Sequence, residues 1–379
     1  MEYSSIEERF NKIKSSREDR LEGKMNFIPF FKHFPRFSKY IPGFLPGVMY
    51  KLMSQTNIGK SQFSKFLSII VPYETFKEYN FKYKILYFSL EENKDDFIDK
   101  LIVYRIKQKY GIIIDPLKIK SYTSDILSDD DVDKIKSVVA EVGEILENVD
   151  IVDNIPRNPT GLYRYAFEKS KEWGIHYYRH HKTNEIVDQF AYETIPDKIN
   201  WRHHKYETDY LCMLVCDQVN NLALEKDSTS GMALDKRGVL KKWSFEYCRD
   251  EFTKKWNWIV FNVQQLTAEG ENLEHQKNNK VKPSLDKAGE SKEILQDDMI
   301  VFSLFNPSRY EMSKCNGYDI NIMKDKFREV GVHKNRLGAV GLELGVYFEG
   351  ASGTFKELPP IKEEAKLLGI YEKIKNGTL

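Results

Sequence analysis

The residues with the clearest chemical meaning form one short segment, 53–61, with the sequence MSQTNIGKS. It follows an apolar stretch, 48–53, and precedes an apolar-faced stretch, 62–70, so we expect it to connect a buried strand to a helix. In such a turn, backbone N–H groups and the helix N-terminus hold phosphate oxygens, Lys60 reaches the outer phosphates and the Ser61 hydroxyl binds Mg²⁺. The predicted nucleotide site comprises Ser54, Gln55, Thr56, Asn57, Ile58, Gly59, Lys60, Ser61 and Gln62.

Acidic residues end two of the later apolar runs, where a hydrolytic nucleotide site needs carboxylates. Residues 83–90 (YKILYFSL) lead into Glu91 and Glu92, and residues 209–217 (DYLCMLVCD) end at Asp217. Ligands bind beyond the carboxyl ends of the strands in an open α/β sheet. There Glu91 would accept a proton from an attacking water, and Asp217 would hold the Mg²⁺-bound water. The alternative is that both glutamates only favour the N-terminus of the next helix, which is what we expect of Glu92.

Three polar residues further along the chain complete the candidates. The strand-like run 258–263 ends in Gln264 and Gln265, and an amide there can donate to a γ-phosphate, so Gln265 could report the nucleotide state to the loop beyond. Lys334 and Arg336 are two residues apart in an extended segment, so both project from one face. Two adjacent cations repel unless an anion lies opposite, and a γ-phosphate that develops charge is such an anion. The alternative for this pair is a solvated edge strand.

Length and composition bound the possible classes of protein. The 379 residues can bury a core as one large domain, or as one domain with a small appendage. The net charge of +1 provides no global basic field, so nucleic-acid binding would have to come from local loops. The four cysteines form no C-x-x-C pair, the N-terminus is acidic and polar, and no apolar run approaches the ~18 residues of a membrane span. We therefore expect a cytoplasmic protein with buried thiols and no membrane partner.

The remaining segments give a coarse secondary structure. Apolar stripes predict helices over 4–20 and throughout 94–173, with Ser128 and Asp131 as a capping box and the last helix beginning at Pro159. Residues rich in Phe and Pro, 26–47, are too irregular for a regular element, and we expect them to pack across the domain edge. Further strands are predicted at 299–305, 330–336, 341–348 and 354–358, the last two joined by a turn at 349–353.

One segment breaks this pattern. Residues 175–208 carry five of the eight histidines: His176, His180, His181, His203 and His204. A metal site is one interpretation, but no cysteine or regularly spaced carboxylate accompanies them. We favour an exposed β-hairpin insertion.

In this order, the motifs resemble the C-terminal ATPase domain of DnaB-like replicative helicases, especially the compact phage forms. The resemblance runs from about residue 40 to 358. It implies an α/β fold: a RecA-like P-loop NTPase core with a mostly parallel central sheet, a C-terminal β-hairpin and a short N-terminal helical extension. The matching pieces are Gly59-Lys60-Ser61, Phe88-Ser89-Leu90-Glu91, Asp217, Gln265-Leu266, Gln296-Asp297-Asp298 and Lys334-Asn335-Arg336-Leu337-Gly338.

The resemblance also implies roles for the residues that would surround ATP and Mg²⁺. Lys60 and Ser61 would bind phosphate and the metal. Glu91 would be the base that polarises the attacking water. Asp217 would be the acid on the metal side, and Gln265 would be the sensor.

Other implied roles concern assembly and DNA. Lys334 and Arg336 would reach the γ-phosphate held by a neighbouring subunit, which implies a homo-hexameric ring with ATP at each interface. Loops at about 223–238 and 268–292 would grip single-stranded DNA by its backbone in a salt-sensitive manner. The cations that we expect to contact DNA are Lys236 and Arg237 in the first loop, and Lys287 and Lys292 in the second, which also contains Lys277, Lys280 and Lys282.

The expected domain organisation departs from the family in two places. We expect a helical docking segment at 1–40, an ATPase domain at 41–358 with the insertion 175–208, and a helical tail at 359–379. The family's helical N-terminal domain, which engages primase, has no counterpart in 1–40, although primase or a helicase loader remains a possible partner. The insertion has no assigned role.

Two other functions remain compatible with these motifs. A RecA- or KaiC-like ATPase would use the same core chemistry for recombination or regulation without unwinding DNA. A nucleotide-binding structural or loader protein would show no turnover.

Overall fold

The computed structural model describes residues 3–227, 230–266, 281–285, 287, 295 and 297–377. Within this part of the chain the strands lie between layers of helices. In chain order they are β1 (Ile28–Pro29), β2 (Gly43–Phe44), β3 (Met49–Ser54), β4 (Tyr83–Ser89), β5 (Val149–Val152), β6 (Ile175–His180), β7 (Ile186–Asp188), β8 (Trp201–Glu207), β9 (Leu211–Asp217), β10 (Ile259–Gln265), β11 (Ile300–Phe305), β12 (Lys314–Cys315), β13 (Tyr318–Asp319), β14 (Phe327–Asn335), β15 (Glu343–Glu349) and β16 (Thr354–Glu357).

Two helices change from α to π winding along their length. The helix after β3 continues as a π-helix over Phe66–Ile70, and the helix before β10 continues as a π-helix over Lys242–Lys255. The α-helices are α1 (Tyr3–Leu21), α2 (Lys60–Lys65), α3 (Val71–Thr75), α4 (Lys94–Tyr110), α5 (Pro116–Ile119), α6 (Asp129–Leu146), α7 (Pro159–Trp173), α8 (Gln189–Thr194), α9 (Lys236–Lys241), α10 (Ile320–Met323) and α11 (Glu364–Lys375).

The large sheet has nine strands in the order β16-β15-β14-β11-β3-β10-β9-β4-β5. The six strands from β11 to β5 are mutually parallel, and β14, β15 and β16 extend the sheet antiparallel. The predicted RecA-like α/β fold with a mostly parallel sheet and a C-terminal hairpin is confirmed. The carboxyl ends of β3, β4, β9 and β10 meet along one side, which we call the P-loop edge; the side where these strands begin is the opposite edge.

The central strands read as continuous apolar runs because both faces of the sheet are covered. Along β4, Ile85 and Tyr87 pack into the core beneath the helix that follows β3. The alternating residues Leu86 and Phe88 pack into a second core that contains Trp243. A parallel sheet covered on both faces keeps water away from its strands, so polar groups concentrate at the strand ends.

The stretch 94–173 corrects one expectation. It is not helical throughout, because β5 (Val149–Val152) lies between α6 and α7 and pairs with β4 at the border of the sheet. A run of four residues is too short for its pattern to distinguish a strand from the end of a helix. The expected capping box is present: Ser128 and Asp131 exchange hydrogen bonds at the start of α6. The last helix begins at Pro159, as expected.

The N-terminal residues behave in two ways. The irregular lead-in is part of the core: Phe30, Phe34 and Phe37 are almost fully buried, and the Phe37 ring lies 5.8 Å from that of Phe302 on β11. By contrast, Ile6 and Phe10 on α1 are 59% and 62% exposed. Their docking on another surface remains a prediction. No helix among the described residues has the length and apolarity needed to cross a membrane.

The histidine-rich segment is more than the expected hairpin. Strands β6, β7 and β8 form a separate antiparallel sheet in the order β7-β6-β8, which we call the ribbon, with α8 packed against it. Ring contacts of His176 with Phe167 on α7 and with Trp256 attach the ribbon to the domain. His176 is fully buried, and its two ring nitrogens lie 2.6 Å from the Ser170 hydroxyl and 3.0 Å from His203. The expected hairpin insertion is thus part of a three-stranded sheet. Among the described residues no group of three or more His, Cys, Asp or Glu side chains could hold a metal ion.

Candidate nucleotide site

The turn between β3 and α2 has the backbone of a phosphate-binding loop. Gly59, directly before the first helical residue, Lys60, adopts a left-handed conformation with φ of 93°. A Cβ atom there would also lie 2.8 Å from Cζ of Phe348, so glycine is required for both conformation and space. The N-terminus of α2 therefore opens directly onto the turn, where its unpaired N–H groups can bind an anion.

The sequence candidates converge at this helix start. The Ser61 hydroxyl donates to Oδ1 of Asp217 at 3.2 Å and lies 3.5 Å from Oε2 of Glu91. The Lys60 ammonium lies 3.7 Å from the same glutamate oxygen. A hydroxyl and a carboxylate are hard oxygen donors of the kind that Mg²⁺ prefers, so Ser61 and Asp217 fit that metal. The Lys60 ammonium, which a phosphate would attract, here interacts with the Glu91 carboxylate.

Asp217 lies deepest of these residues. Its carboxylate is buried, and its second oxygen, Oδ2, accepts a 2.9 Å hydrogen bond from the hydroxyl of Tyr87 on the neighbouring strand. The pKa of Asp217 is raised above its ordinary value, because the effect of burial outweighs the opposing effects of the Lys65 ammonium and of the hydrogen bonds from Tyr87 and Ser61. Tyr87 was not among the sequence candidates, because in an apolar strand a tyrosine reads as core.

Glu92 corrects another expectation. The side chain that caps α4 is Asn93, which accepts from the backbone N–H of Asp96, so Glu92 is not the residue that starts this helix. Glu92 instead forms ion pairs with Lys65 and Lys100, between α2 and α4. Burial, together with the Lys100 charge, lowers the pKa of Lys65 well below its ordinary value. The two adjacent glutamates thus differ: Glu91 interacts with Lys60 of the P-loop, and Glu92 forms a partly buried ion network with Lys65 and Lys100.

Gln265 touches the P-loop directly. Its side-chain amide donates to the Thr56 hydroxyl at 2.5 Å, and its oxygen accepts from the amide of Gln218 at 2.9 Å. Its backbone N–H donates to Asn220 at 3.0 Å. A displacement of the P-loop at Thr56 would therefore change hydrogen bonds at the ends of β9 and β10. These two strands lead into the two candidate DNA loops.

Two arginines that were not predicted also hold the P-loop. Arg328 on β14 donates from Nε to the Ile58 carbonyl at 2.7 Å and stacks on Phe348, with its guanidinium carbon 4.5 Å from the ring centre. Burial lowers the pKa of Arg328 to about 10. Arg309 donates to the Thr56 carbonyl. These contacts span more than 250 residues of sequence, and no local pattern signals them.

The side chains of Gln55 and Gln62 form hydrogen bonds to segments outside the P-loop. The Gln55 amide donates to the Val281 carbonyl at 3.0 Å, and the Gln62 amide donates to the Gly350 carbonyl at 2.5 Å in the turn of the C-terminal hairpin. Both side chains therefore anchor the P-loop to other segments. Ser54 is fully buried at the end of β3, and Asn57 has a positive φ of 59° within the turn.

Lys334 and Arg336 do not lie near the P-loop of their own chain. Lys334 pairs in register with Val301, and the Arg336 N–H donates to the Met299 carbonyl, so both residues lie beside the start of β11. The start of β11 is at the opposite edge, roughly 17 Å along the strands from this chain's own P-loop. Burial and the neighbouring Arg336 charge lower the pKa of Lys334. The two cations are close together, as expected, but they are distant from the Ser61 cluster of the same chain.

The cations assigned to DNA have mixed surroundings. Lys236, half-buried, donates to the Leu222 carbonyl at 2.5 Å, while Arg237 is exposed beside it. Lys282 forms an ion pair with Glu329 at 2.7 Å, and Lys287 donates to the Lys282 carbonyl at 2.8 Å. The remaining candidate, Lys292, lies outside the described residues, as do Lys277 and Lys280.

Comparison with solved structures identifies the fold as one already known. No protein-family model and no curated protein matches the chain. A solved ATPase domain matches it with a TM-score of 0.66 and 16% identity, over 94% of this chain and 100% of that one. A DnaB-like replicative helicase, solved in a study of its interactions with primase, matches with a TM-score of 0.62 and 17% identity, over 93% of this chain and 66% of that one. The chain has the fold of a DnaB-like helicase ATPase domain.

A third solved structure, a KaiC-like protein from the hyperthermophilic archaeon Pyrococcus horikoshii OT3, matches with a TM-score of 0.42 and 16% identity, over 88% of this chain and 97% of that one.

In this chain's version of the DnaB-like fold, the P-loop, Glu91, Asp217 and Gln265 all lie at the carboxyl ends of parallel strands. That is the location at which open α/β sheets bind their ligands.

Proposed function

We propose that the chain is an ATP-hydrolysing motor that works as a cytoplasmic ring, moves along single-stranded DNA and separates duplex DNA as a replicative helicase. The observation that carries this proposal is the cluster of Ser61, Lys60, Glu91 and Asp217, with contacts of 3.2–3.7 Å at the P-loop edge. The fold supports it, because the neighbouring structures include a DnaB-like replicative helicase.

The chemistry follows from what each side chain can do. Bound ATP would supply the phosphoanhydride bond, and bound Mg²⁺ would neutralise phosphate charge. Ser61 and Asp217 would hold the metal, and Lys60 would turn from Glu91 to the outer phosphates. Glu91, which is 37% exposed, would then be free to orient a water molecule and accept its proton.

The distance of Lys334 and Arg336 from their own P-loop supports assembly. Residues at the opposite edge cannot serve the nucleotide of the same chain, but they can serve that of a neighbour if protomers pack edge to edge. A closed ring, most simply of six subunits, gives every protomer such a neighbour. Gln265 would relay the nucleotide state to the DNA loops through Thr56. Primase or a helicase loader is proposed as a further partner.

The test is strand separation on a forked DNA substrate with ATP and Mg²⁺. We expect unwinding by the wild-type protein and none by Lys60→Ala. Hydrolysis stimulated by DNA without strand separation would instead indicate the RecA- or KaiC-like function. Absence of any turnover under these conditions would indicate a structural or loader protein.

A further inference from the structure

The ribbon has two faces of different character. Its inner face carries His176, Tyr178 and Trp201, which are buried or half-buried against α7, α8 and the end of the π-helix. Its outer face is exposed at Arg179 on β6 and Arg202 on β8. These arginines are direct partners in the antiparallel register, so their side chains project from the same face.

A pair of like charges in this position is unfavourable without an anion. Directly opposed residues on antiparallel strands have Cβ atoms about 5 Å apart, and like charges there destabilise the sheet. Within the described chain, the Arg202 guanidinium donates only to the carbonyls of Ile199 and Trp201, and the Arg179 side chain has no hydrogen bond or ion pair. The third residue in this row, on β7, is the apolar Ile186.

Four of the five acids of the ribbon are engaged with groups other than the two arginines. Residues 175–207 contain five basic and five acidic side chains, not counting histidine. Glu193 and Glu207 form ion pairs with Lys171 and Lys205. Asp188 and Asp197 accept from backbone N–H groups, of Ala191 and Ile199 respectively. The fifth acid, Glu185, is exposed one residue before Ile186 and, in the part of the chain that the structure describes, forms no ion pair with either arginine.

The face suits a phosphate backbone better than single-stranded bases. Its aromatic residue, Tyr177, is half-buried, and the Lys205 ammonium covers its ring at 4.6 Å. Stacking platforms for unpaired bases need exposed rings. Exposed arginines are instead typical contacts to phosphate oxygens, and Lys182 and His181 in the adjoining turn are exposed cationic or protonatable neighbours.

The ribbon is also separate from the candidate DNA loops. The strands that lead into those loops, β9 and β10, end at the P-loop edge. The ribbon instead joins the domain just before Leu211, which pairs with Tyr83 at the start of β4. The ribbon therefore belongs to the opposite edge.

We propose that Arg179 and Arg202 bind the phosphate backbone of duplex DNA, at a surface distinct from the loops that hold the single strand. This inference rests on the proposed DNA-unwinding function and adds to it a second point of contact with the duplex of a fork.

The experiment compares wild type with Arg179→Gln/Arg202→Gln. Lys362→Gln/Lys366→Gln is the matched control, because it removes the same charge from exposed positions in and next to α11. Binding of blunt duplex DNA and of a single-stranded oligonucleotide is measured by fluorescence anisotropy over a series of salt concentrations. Cooperative thermal unfolding, at or above the wild-type temperature because a like-charge pair is removed, and an unchanged ATPase rate without DNA show that the arginine variant is folded. The control variant should show cooperative unfolding and the same ATPase rate.

On duplex DNA, the slope of log K against log salt is negative. For the arginine variant we expect its magnitude to decrease by about 1.8, the value for two lost phosphate contacts. The slope on single-stranded DNA and both slopes of the control should match wild type. A duplex slope equal to wild type overturns the inference, as does an equal loss on single strands or an equal loss in the control. A wild-type protein that binds neither DNA would refute the proposed function itself, which is a different result.

Discussion

At the P-loop edge, Lys60 and Ser61 meet carboxylates of their own chain, whereas at the opposite edge Lys334 and Arg336 are distant from that P-loop. The first region brings together a lysine, a hydroxyl and carboxylates, the groups that bind phosphate and Mg²⁺. The second region has a pair of cations and is remote from the phosphate site of its own chain. From this difference we propose that the catalytic unit is a pair of chains.

The largest expected effect is at the opposite edge. Arg336→Ala should lower ATP hydrolysis by roughly 10³–10⁵-fold, the contribution of an arginine that stabilises phosphoryl transfer. ATP affinity, measured with a fluorescent analogue, should stay close to wild type because the P-loop is intact. Arg179→Ala on the ribbon serves as the control and should hydrolyse ATP normally. A wild-type hydrolysis rate for Arg336→Ala would contradict a role of the opposite edge in catalysis.

The next effect is at the P-loop edge. Glu91→Gln should reduce the hydrolysis rate by roughly 10²–10⁴-fold, because the amide cannot accept a proton from water. Nucleotide binding and the melting temperature should hardly change, since Glu91 is partly exposed. Single-turnover kinetics separates the chemical step from binding. If Glu91→Gln retained full hydrolysis, another base would have to act.

A smaller effect concerns the buried partner of Asp217. Tyr87→Phe removes the hydrogen bond to Oδ2, and the Mg²⁺ concentration for half-maximal ATP binding should rise about tenfold, the size of one hydrogen bond to a charged group. Binding of nucleotide in EDTA should not change. Tyr83→Phe, four residues earlier on the same strand, is the matched control. A lower melting temperature for Tyr87→Phe, with unchanged Mg²⁺ dependence, would indicate that Tyr87 only stabilises the fold.

The smallest effect distinguishes the ribbon from the P-loop edge by pH. Burial lowers the pKa of His176 to about 3 and of His203 to about 4, both below the ordinary value of 6.5. The unfolded chain therefore binds protons first on acidification, and stability should decline as pH falls below 6.5 towards 4. Hydrogen exchange should show the loss in 175–207 before the P-loop. His203→Gln should flatten this pH dependence, and the exposed His204→Gln should not.

The position of the strand ends at the P-loop edge could be predicted because each strand there is an apolar run that ends in a polar residue. Parallel topology then brings Ser61, Glu91, Asp217 and Gln265 together without further information. Contacts from distant segments, such as Arg328 to the Ile58 carbonyl, depend on the order of strands in the sheet, which no local pattern encodes. The opposed arginines of the ribbon depend on its register. The strand β5 was missed because four residues carry too little periodicity.

One measurement tests the shared site most directly. Arg336→Ala and Lys60→Ala proteins, each inactive alone, are mixed at varied ratios and assayed for ATP hydrolysis. If nucleotide lies between chains, an intact P-loop from the first can meet an intact arginine from the second, and part of the wild-type rate should return at intermediate ratios. Absence of hydrolysis at every ratio, in mixtures shown to form joint assemblies, would contradict a site built from two chains.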